Sequence, residues 1–231
     1  MNLWIVAAMA EELSLLIGET GARSKGRVGG SPWFAGALGD CVVNLGVTGV
    51  GVASACMALG AFCTMLQPDL MVMVGSAGSL PDSGLGTGDM VVAETEILAE
   101  LGVVTGPGTG DARTIKLPGV VQEINLDQAV SSRLFHHAVN LAKTAYGRSL
   151  TVVGVSAGVH QARDRSRHFQ ALAENMEGYA LAMAGECFDC KTAEIRGISN
   201  KAGDRDKSRW DFENAIIPPQ KALLEYLKET I

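Results

Sequence analysis

Short apolar runs rich in Val and Ile recur along the chain at 3–8, 41–48, 70–74, 90–93, 150–155 and 194–198. Runs of this length, bounded by Gly, Pro or polar residues, predict buried strands. Between them apolar positions return at helical spacing at 11–17, 53–66, 126–145, 166–174 and 178–187, with a last helix after the Pro218-Pro219 break. The alternation predicts an α/β fold with a mixed, mostly parallel central sheet and helices on both faces. In such sheets ligands bind beyond the carboxyl ends of the strands. The chemistry is therefore expected just after the runs, at 8–12, 75–78 and 199–203. The Gly- and Pro-rich stretch 102–119 reads as an extended loop, and loops of that length are usually functional or mobile.

With 231 residues, 47% of them apolar, the chain can bury one sizeable core, so 1–231 is read as a single domain. The net charge of -6 and the lack of a Lys/Arg-dense stretch argue against nucleic-acid or anionic-membrane partners, which need clustered positive charge. A small-molecule partner is expected instead. LWIVAA at the start carries no signal-peptide pattern, and no apolar run reaches the length of a membrane span, so the expected location is the cytoplasm. Of five cysteines, Cys41, Cys56 and Cys63 lie in apolar stretches and read as small core residues of a reducing compartment. Cys187 and Cys190 form a lone CxxC with no second half, and the four histidines form no ligand pattern, so no metal is expected.

Several short motifs carry chemistry. GVGVAS, with Gly49 and Gly51, resembles a dinucleotide fingerprint, but its third glycine is replaced and no ribose-binding acid can be placed; helix–sheet packing through small residues is the preferred reading. VGSAGSL puts Ser76 and Gly78 after a strand, where hydroxyl and backbone N–H groups can hold an oxygen-rich ligand or simply form a turn. Glu11 and Glu12 open a helix, a position that suits any carboxylate. Glu177 sits in the apolar stretch NMEGYALAMA, and a buried carboxylate there needs a partner such as sugar hydroxyls. Asn200 ends the strand-like EIRGIS, where a polar side chain can point into a cleft.

Together IVAAMAEEL, GVGVASACMALGAF, PDLMVMVGSAGSL, GTGDMVVAE, NMEG and RGISN occur in an order that resembles the purine nucleoside phosphorylase superfamily. The closest likeness is to its hydrolytic branch, which includes methylthioadenosine/adenosylhomocysteine nucleosidase and futalosine hydrolase. The resemblance covers nearly the whole chain and implies a three-layer fold, no cofactor, a purine nucleoside and water as partners, and a homo-oligomer of at least two chains. It implies that Glu12 activates water with Ser76 and Arg196 as helpers, and that Met176 and Glu177 bind ribose. The segment SAGVHQ implies that backbone at 156–161, up to Gln161, meets the base edge, with His160 in place of an aromatic that stacks on the purine.

Phosphorylases of this superfamily need arginines for phosphate, one of them at the position held here by Met73. AMAEE likewise replaces an early arginine loop, and a carboxylate repels phosphate while it suits deprotonation of water. The nucleosidases that act on 6-aminopurines carry an aspartate where this chain has Asn200. A 6-oxopurine presents two acceptors, O6 and N7, which an amide NH2 complements. A mismatch leaves a buried polar group unpaired, at roughly 1–3 kcal/mol each, so Asn200 points to hypoxanthine as leaving group. GDRDKSRWD, 203–211, also resembles the futalosine-cleaving members, beside the plainer reading of a charged surface loop, and no roles are assigned to Asp204, Arg205 or Asp206. The alternatives are an adenine-releasing nucleosidase and, lower, a non-catalytic nucleoside-binding protein.

Overall fold

The computed structural model describes residues 1–104, 112–113 and 121–231. In chain order the strands are β1 (Leu3–Ala7), β2 (Arg23–Val28), β3 (Ser31–Leu38), β4 (Cys41–Val47), β5 (Leu70–Ser79), β6 (Met90–Leu98), β7 (Val103–Val104), β8 (Ala112–Arg113), β9 (Glu123–Asn125), β10 (Thr144–Thr151), β11 (Ala173–Asn175) and β12 (Lys191–Lys201). The helices are α1 (Ser14–Glu19), α2 (Val52–Met65), α3 (Gln128–Ala138), α4 (Val159–Phe169), α5 (Gly178–Phe188), α6 (Phe212–Ala215) and α7 (Ile217–Thr230), with short 3-10 turns at Ala10–Leu13 and Lys207–Arg209.

Strand β1 is buried throughout, and its period of two divides it between two cores. Leu3, Ile5 and Ala7 pack with Leu16 of α1, Leu134 of α3 and Leu223 of α7. Trp4 and Val6 face the other way, onto Leu59 and Phe62 of α2 and Leu181 of α5. A strand covered on both faces must be apolar on both, which is why LWIVA is a continuous run. The result is a sheet between two helical layers.

The sheet is mixed. The parallel centre is β4-β1-β5-β12, flanked on one side by the antiparallel meander β2-β3-β4. On the other side β12 pairs antiparallel with β6, β6 parallel with β10, and β10 parallel with β11. Strand β11 then returns antiparallel to β5, closing these five strands into a ring. The closure brings the far ends of β5, β11 and β12 together.

The observed elements depart from those expected at several places. The meander strand β2, RSKGRV, is almost entirely exposed, so it shows no apolar alternation to betray it. The helix expected over 126–145 ends at Ala138, and β10 begins at Thr144 instead of lying at 150–155. The helix expected at 166–174 is α4, which starts earlier and stops where Gln170 turns left-handed at φ 52°, and 173–175 is strand. Pro218 and Pro219 lie inside the first turn of α7, where the missing N–H groups cost nothing. Cys63 is buried, but Cys41 is half-buried and Cys56 exposed, so the core reading fits one of the three. Beyond Gly102 and the short β7–β8 pair, the stretch 102–119 lies outside the described residues.

Candidate active site

At the carboxyl ends of β1, β5 and β12 the chain lines a cavity of about 270 Å3. A wider groove of about 840 Å3 lies beside Leu70 and Lys191, where β5 and β12 begin, far from the predicted motifs. The smaller cavity is the one that gathers the carboxylates.

Glu12 is 2% exposed, on the 3-10 turn that follows β1. Its Oε2 accepts the Met9 N–H at 3.1 Å, the reach-back of a capping box. Its Oε1 accepts the Ser76 N–H at 2.9 Å and the Ser76 hydroxyl at 3.2 Å. Burial holds the Glu12 carboxyl above its ordinary value, against the opposing pull of Arg196 and of the two N–H donors. Gly75 makes room for this arrangement: a Cβ there would stand 2.7 Å from Arg196 Nη1 and 3.0 Å from Glu12 Oε1.

Arg196 is buried, and its donors are committed to groups of the fold. Nε donates to Glu194 at 2.6 Å, Nη1 to Glu177 at 3.3 Å and Nη2 to the Met73 sulfur at 2.9 Å. Burial alone would lower its pKa, but the carboxylates Glu194, Glu177 and Glu12 prevail and hold the guanidinium charged. Glu177 stands at the start of α5, where Asn175 accepts the N–H groups of Glu177 and Gly178 at 2.9 and 2.7 Å. Its Oε1 accepts the Gly51 N–H at 2.9 Å. Gly51 has φ 93°, a conformation that favours glycine. GVGVAS thus has a role that its sequence did not suggest: it aims a backbone donor at Glu177.

Asn200 follows a bulge in β12, where the register with β5 slips between Ile198 and Asn200. A bulge re-aims the next side chain, and the amide lines the cavity. Its Oδ1 accepts from Ser199 Oγ at 2.8 Å and its Nδ2 donates to the Lys201 carbonyl at 3.0 Å. One amide hydrogen is therefore left for the cavity. Donation to O6 and N7 together requires sharing that hydrogen or giving up the Lys201 bond.

Ser76, Gly78 and Met176 line the cavity as expected. His160 and Gln161 do not. His160 is exposed on the first turn of α4, and Gln161 accepts the Ala157 N–H at 3.0 Å, so the expected stacking by His160 is not what this structure arranges. The chain turns into α4 at Val159, which carries position 160 away from the strand end. Val155 reaches the cavity from this segment instead.

Sequence reasoning missed Glu174, which lines the wall and accepts from Ser156 N–H at 3.0 Å, Ser156 Oγ at 2.7 Å and Arg165 at 3.1 Å. It also missed Glu194, although EIR was a signal: residues two apart on a strand share a face. Of the acidic and basic loop 203–211, Arg205 and Trp210 line the rim, with the guanidinium 5.1 Å from the ring centre. Asp204 pairs with Arg209 at 3.3 Å and Asp206 accepts the Ser208 N–H at 3.1 Å, both structural roles. Among the described residues no three His, Cys, Asp or Glu side chains are grouped to hold a metal ion, and no helix is long and apolar enough to cross a membrane.

A desolvated carboxylate on one wall and a second, amide-anchored carboxylate on the other can deprotonate a small nucleophile and stabilise a cation between them. The architecture is of the nucleoside phosphorylase and nucleosidase kind. It superposes on the 5'-methylthioadenosine/S-adenosylhomocysteine nucleosidase of Neisseria meningitidis in complex with methylthio-immucillin-A, with TM-score 0.86, 20% identity and 99% of each chain covered. It superposes equally on the Streptococcus pneumoniae nucleosidase with a transition-state inhibitor, with TM-score 0.86, 23% identity and 100% of each chain. In sequence, residues 2–230 match the profile of the phosphorylase superfamily, and the chain belongs to that family. It is 33% identical over 184 residues to the futalosine hydrolase of Thermus thermophilus, covering 79% of this chain and 80% of that protein.

Proposed function

We propose that the protein hydrolyses the N-glycosidic bond of futalosine, releasing hypoxanthine and dehypoxanthine futalosine, a step of menaquinone biosynthesis. Its class, a purine nucleoside N-glycosylase, follows from the family and from the named activities of its relatives. The observation that carries the mechanism is Glu12, buried, raised in pKa and held by Ser76 at the cavity wall. Water loses a proton to Glu12 and its oxygen bonds to the anomeric carbon as the bond to the purine breaks. The electron pair leaves with the base, whose N7/O6 edge the Asn200 amide supports. Glu177 takes the ribose hydroxyls and stabilises the oxocarbenium-like transition state electrostatically.

Phosphate is the poorer nucleophile here because Arg196 is already bound to two carboxylates, while Arg205 stands at the rim. The 33% identity to a futalosine hydrolase supports the substrate, and Asn200 supports a 6-oxopurine over the aminopurine of methylthioadenosine. A homo-oligomer is part of the proposal: Val50 and Val155 are exposed at the cavity, and Met57 is 76% exposed on α2. Incubation with futalosine, aminofutalosine, inosine and methylthioadenosine, with identification of the free base, tests the reading. Hypoxanthine from futalosine is expected; adenine as the preferred product, or no base at all, overturns it.

A further inference from the structure

Beneath the cavity wall lies a second pair of acids. Glu96 on β6 and Glu194 on β12 are both fully buried. Their carboxyls converge on Gly178, where a Cβ would overlap an oxygen of each. Among the described residues Glu194 Oε2 finds no hydrogen-bond donor, and it meets Glu96 Oε1 over Gly178. Two ionised carboxylates have no hydrogen to share, so this contact needs a proton.

The surroundings say which acid holds it. Glu194 Oε1 receives the Arg196 Nε at 2.6 Å, a charged donor whose natural partner is a carboxylate. Glu96 touches neutral groups: it accepts from Thr151 Oγ1 at 2.6 Å and from Asn175 Nδ2 at 2.8 Å, with Ser149 alongside. The charged group that acts on Glu96 is Glu194.

We propose that Glu96 and Glu194 share one proton, held on Glu96, and act as positioning residues that fix and neutralise Arg196, leaving the negative charge of Glu177 free for the sugar. The proposal rests on the hydrolytic reading above. Arg196 donates to Glu177, and an uncompensated guanidinium there would cancel the carboxylate that the cationic transition state needs. Glu194 offsets that charge from behind. Glu96 in turn keeps Glu194 from standing as a bare acid in an apolar wall, and burial together with Glu194 pushes its own pKa well up. The charges facing Glu12 are Arg196 and Glu177, so the pair also sets how strongly Arg196 acts on the base.

Infrared spectroscopy of the full chain at neutral pH tests the proton directly. A protonated-carboxyl band is expected in the wild type, retained in Glu12→Gln and lost in Glu96→Gln. Its absence from the wild type, or its survival in Glu96→Gln, overturns the proposal. In kinetics on the nucleoside that is turned over, Glu194→Gln should lower kcat by about tenfold or more with KM within about threefold. Its acidic limb should move to lower pH, because Arg196 then acts on Glu12 uncompensated. Glu96→Gln, which mimics the neutral acid, should lose less than about threefold. Equal losses, or the larger loss in Glu96→Gln, would place the proton wrongly. If Glu194→Gln does not fold, or no nucleoside proves to be a substrate, the infrared result on wild type and Glu96→Gln still decides the pair.

Discussion

Replacing Glu12 by Gln removes the proposed base and little else in volume, but the structure shows that it is not silent locally. Both carboxylate oxygens accept backbone N–H groups, from Met9 at 3.1 Å and Ser76 at 2.9 Å. A Gln must turn its NH2 toward one of them, setting donor against donor at a cost of about 1–3 kcal/mol. Relief of the desolvated charge offsets part of that, so a fall in Tm of a few degrees is expected for a chain of this size. The kinetic effect is larger. General-base catalysis contributes about 10²–10⁴-fold, or roughly 3–5 kcal/mol of barrier. The proposed ribose and base contacts, Glu177 and Asn200, lie elsewhere, so the loss should fall on kcat with KM within about threefold. Stopped assays of base release over a pH series provide the measurement. The wild-type acidic limb should lie above the ordinary carboxylate value of 4.5, since burial raises Glu12 and the enzyme needs it ionised. A Glu12→Gln enzyme that keeps more than about a tenth of wild-type kcat, or the same acidic limb, would refute the assignment.

Four further outcomes follow from the same geometry. Asn200→Asp should shift the ratio of inosine-type to adenosine-type cleavage toward the aminopurine by roughly 5–150-fold, the worth of one or more unmatched polar partners; an unchanged ratio counts against the base-edge argument. Gly75→Ala pushes a methyl between Arg196 Nη1 and Glu12 Oε1, and about a 100-fold loss of kcat is expected from the displaced base, with near-wild-type rates contradicting it. Gly197→Ala would drive its Cβ into the backbone carbonyl of Ala215, so thermal denaturation should show a loss of at least about 2 kcal/mol. Glu96 has its pKa raised well above 4.5 by burial and Glu194; its stabilisation is complete below 4.5 and is lost as pH climbs through the folded value. Wild type should therefore lose stability over that window relative to Glu96→Gln, and parallel pH slopes would dismiss the shift.

The parts of the site legible in the sequence are those whose side chains stand out against their surroundings. Glu177 is a charge inside NMEGYALAMA, Ser76 follows six buried residues of β5, and Asn200 ends an apolar strand; each lies at the cavity. The helix-layer pattern of β1, α2 and α5 was likewise visible because burial on both faces leaves an apolar run. What the sequence withheld is non-local or carried by backbone. The return of β11 to β5 closes the ring through two residue pairs that no periodicity marks. Position 160 resembles a stacking site by its place in SAGVHQ, yet the start of α4 one residue earlier swings it to the surface.

GVGVAS makes the backbone case most sharply. Read by its letters it offers small residues for packing, and a backbone N–H has no letter. Only the fold reveals that Gly51, at φ 93°, turns its amide onto Glu177 across 126 positions of sequence. That donor and Arg196 hold the two oxygens of one carboxylate from opposite sides. The first is neutral and leaves the charge of Glu177 in place. The second would consume it, so on the proposed mechanism the acids behind Arg196 matter as much to the sugar as the acid in front of it.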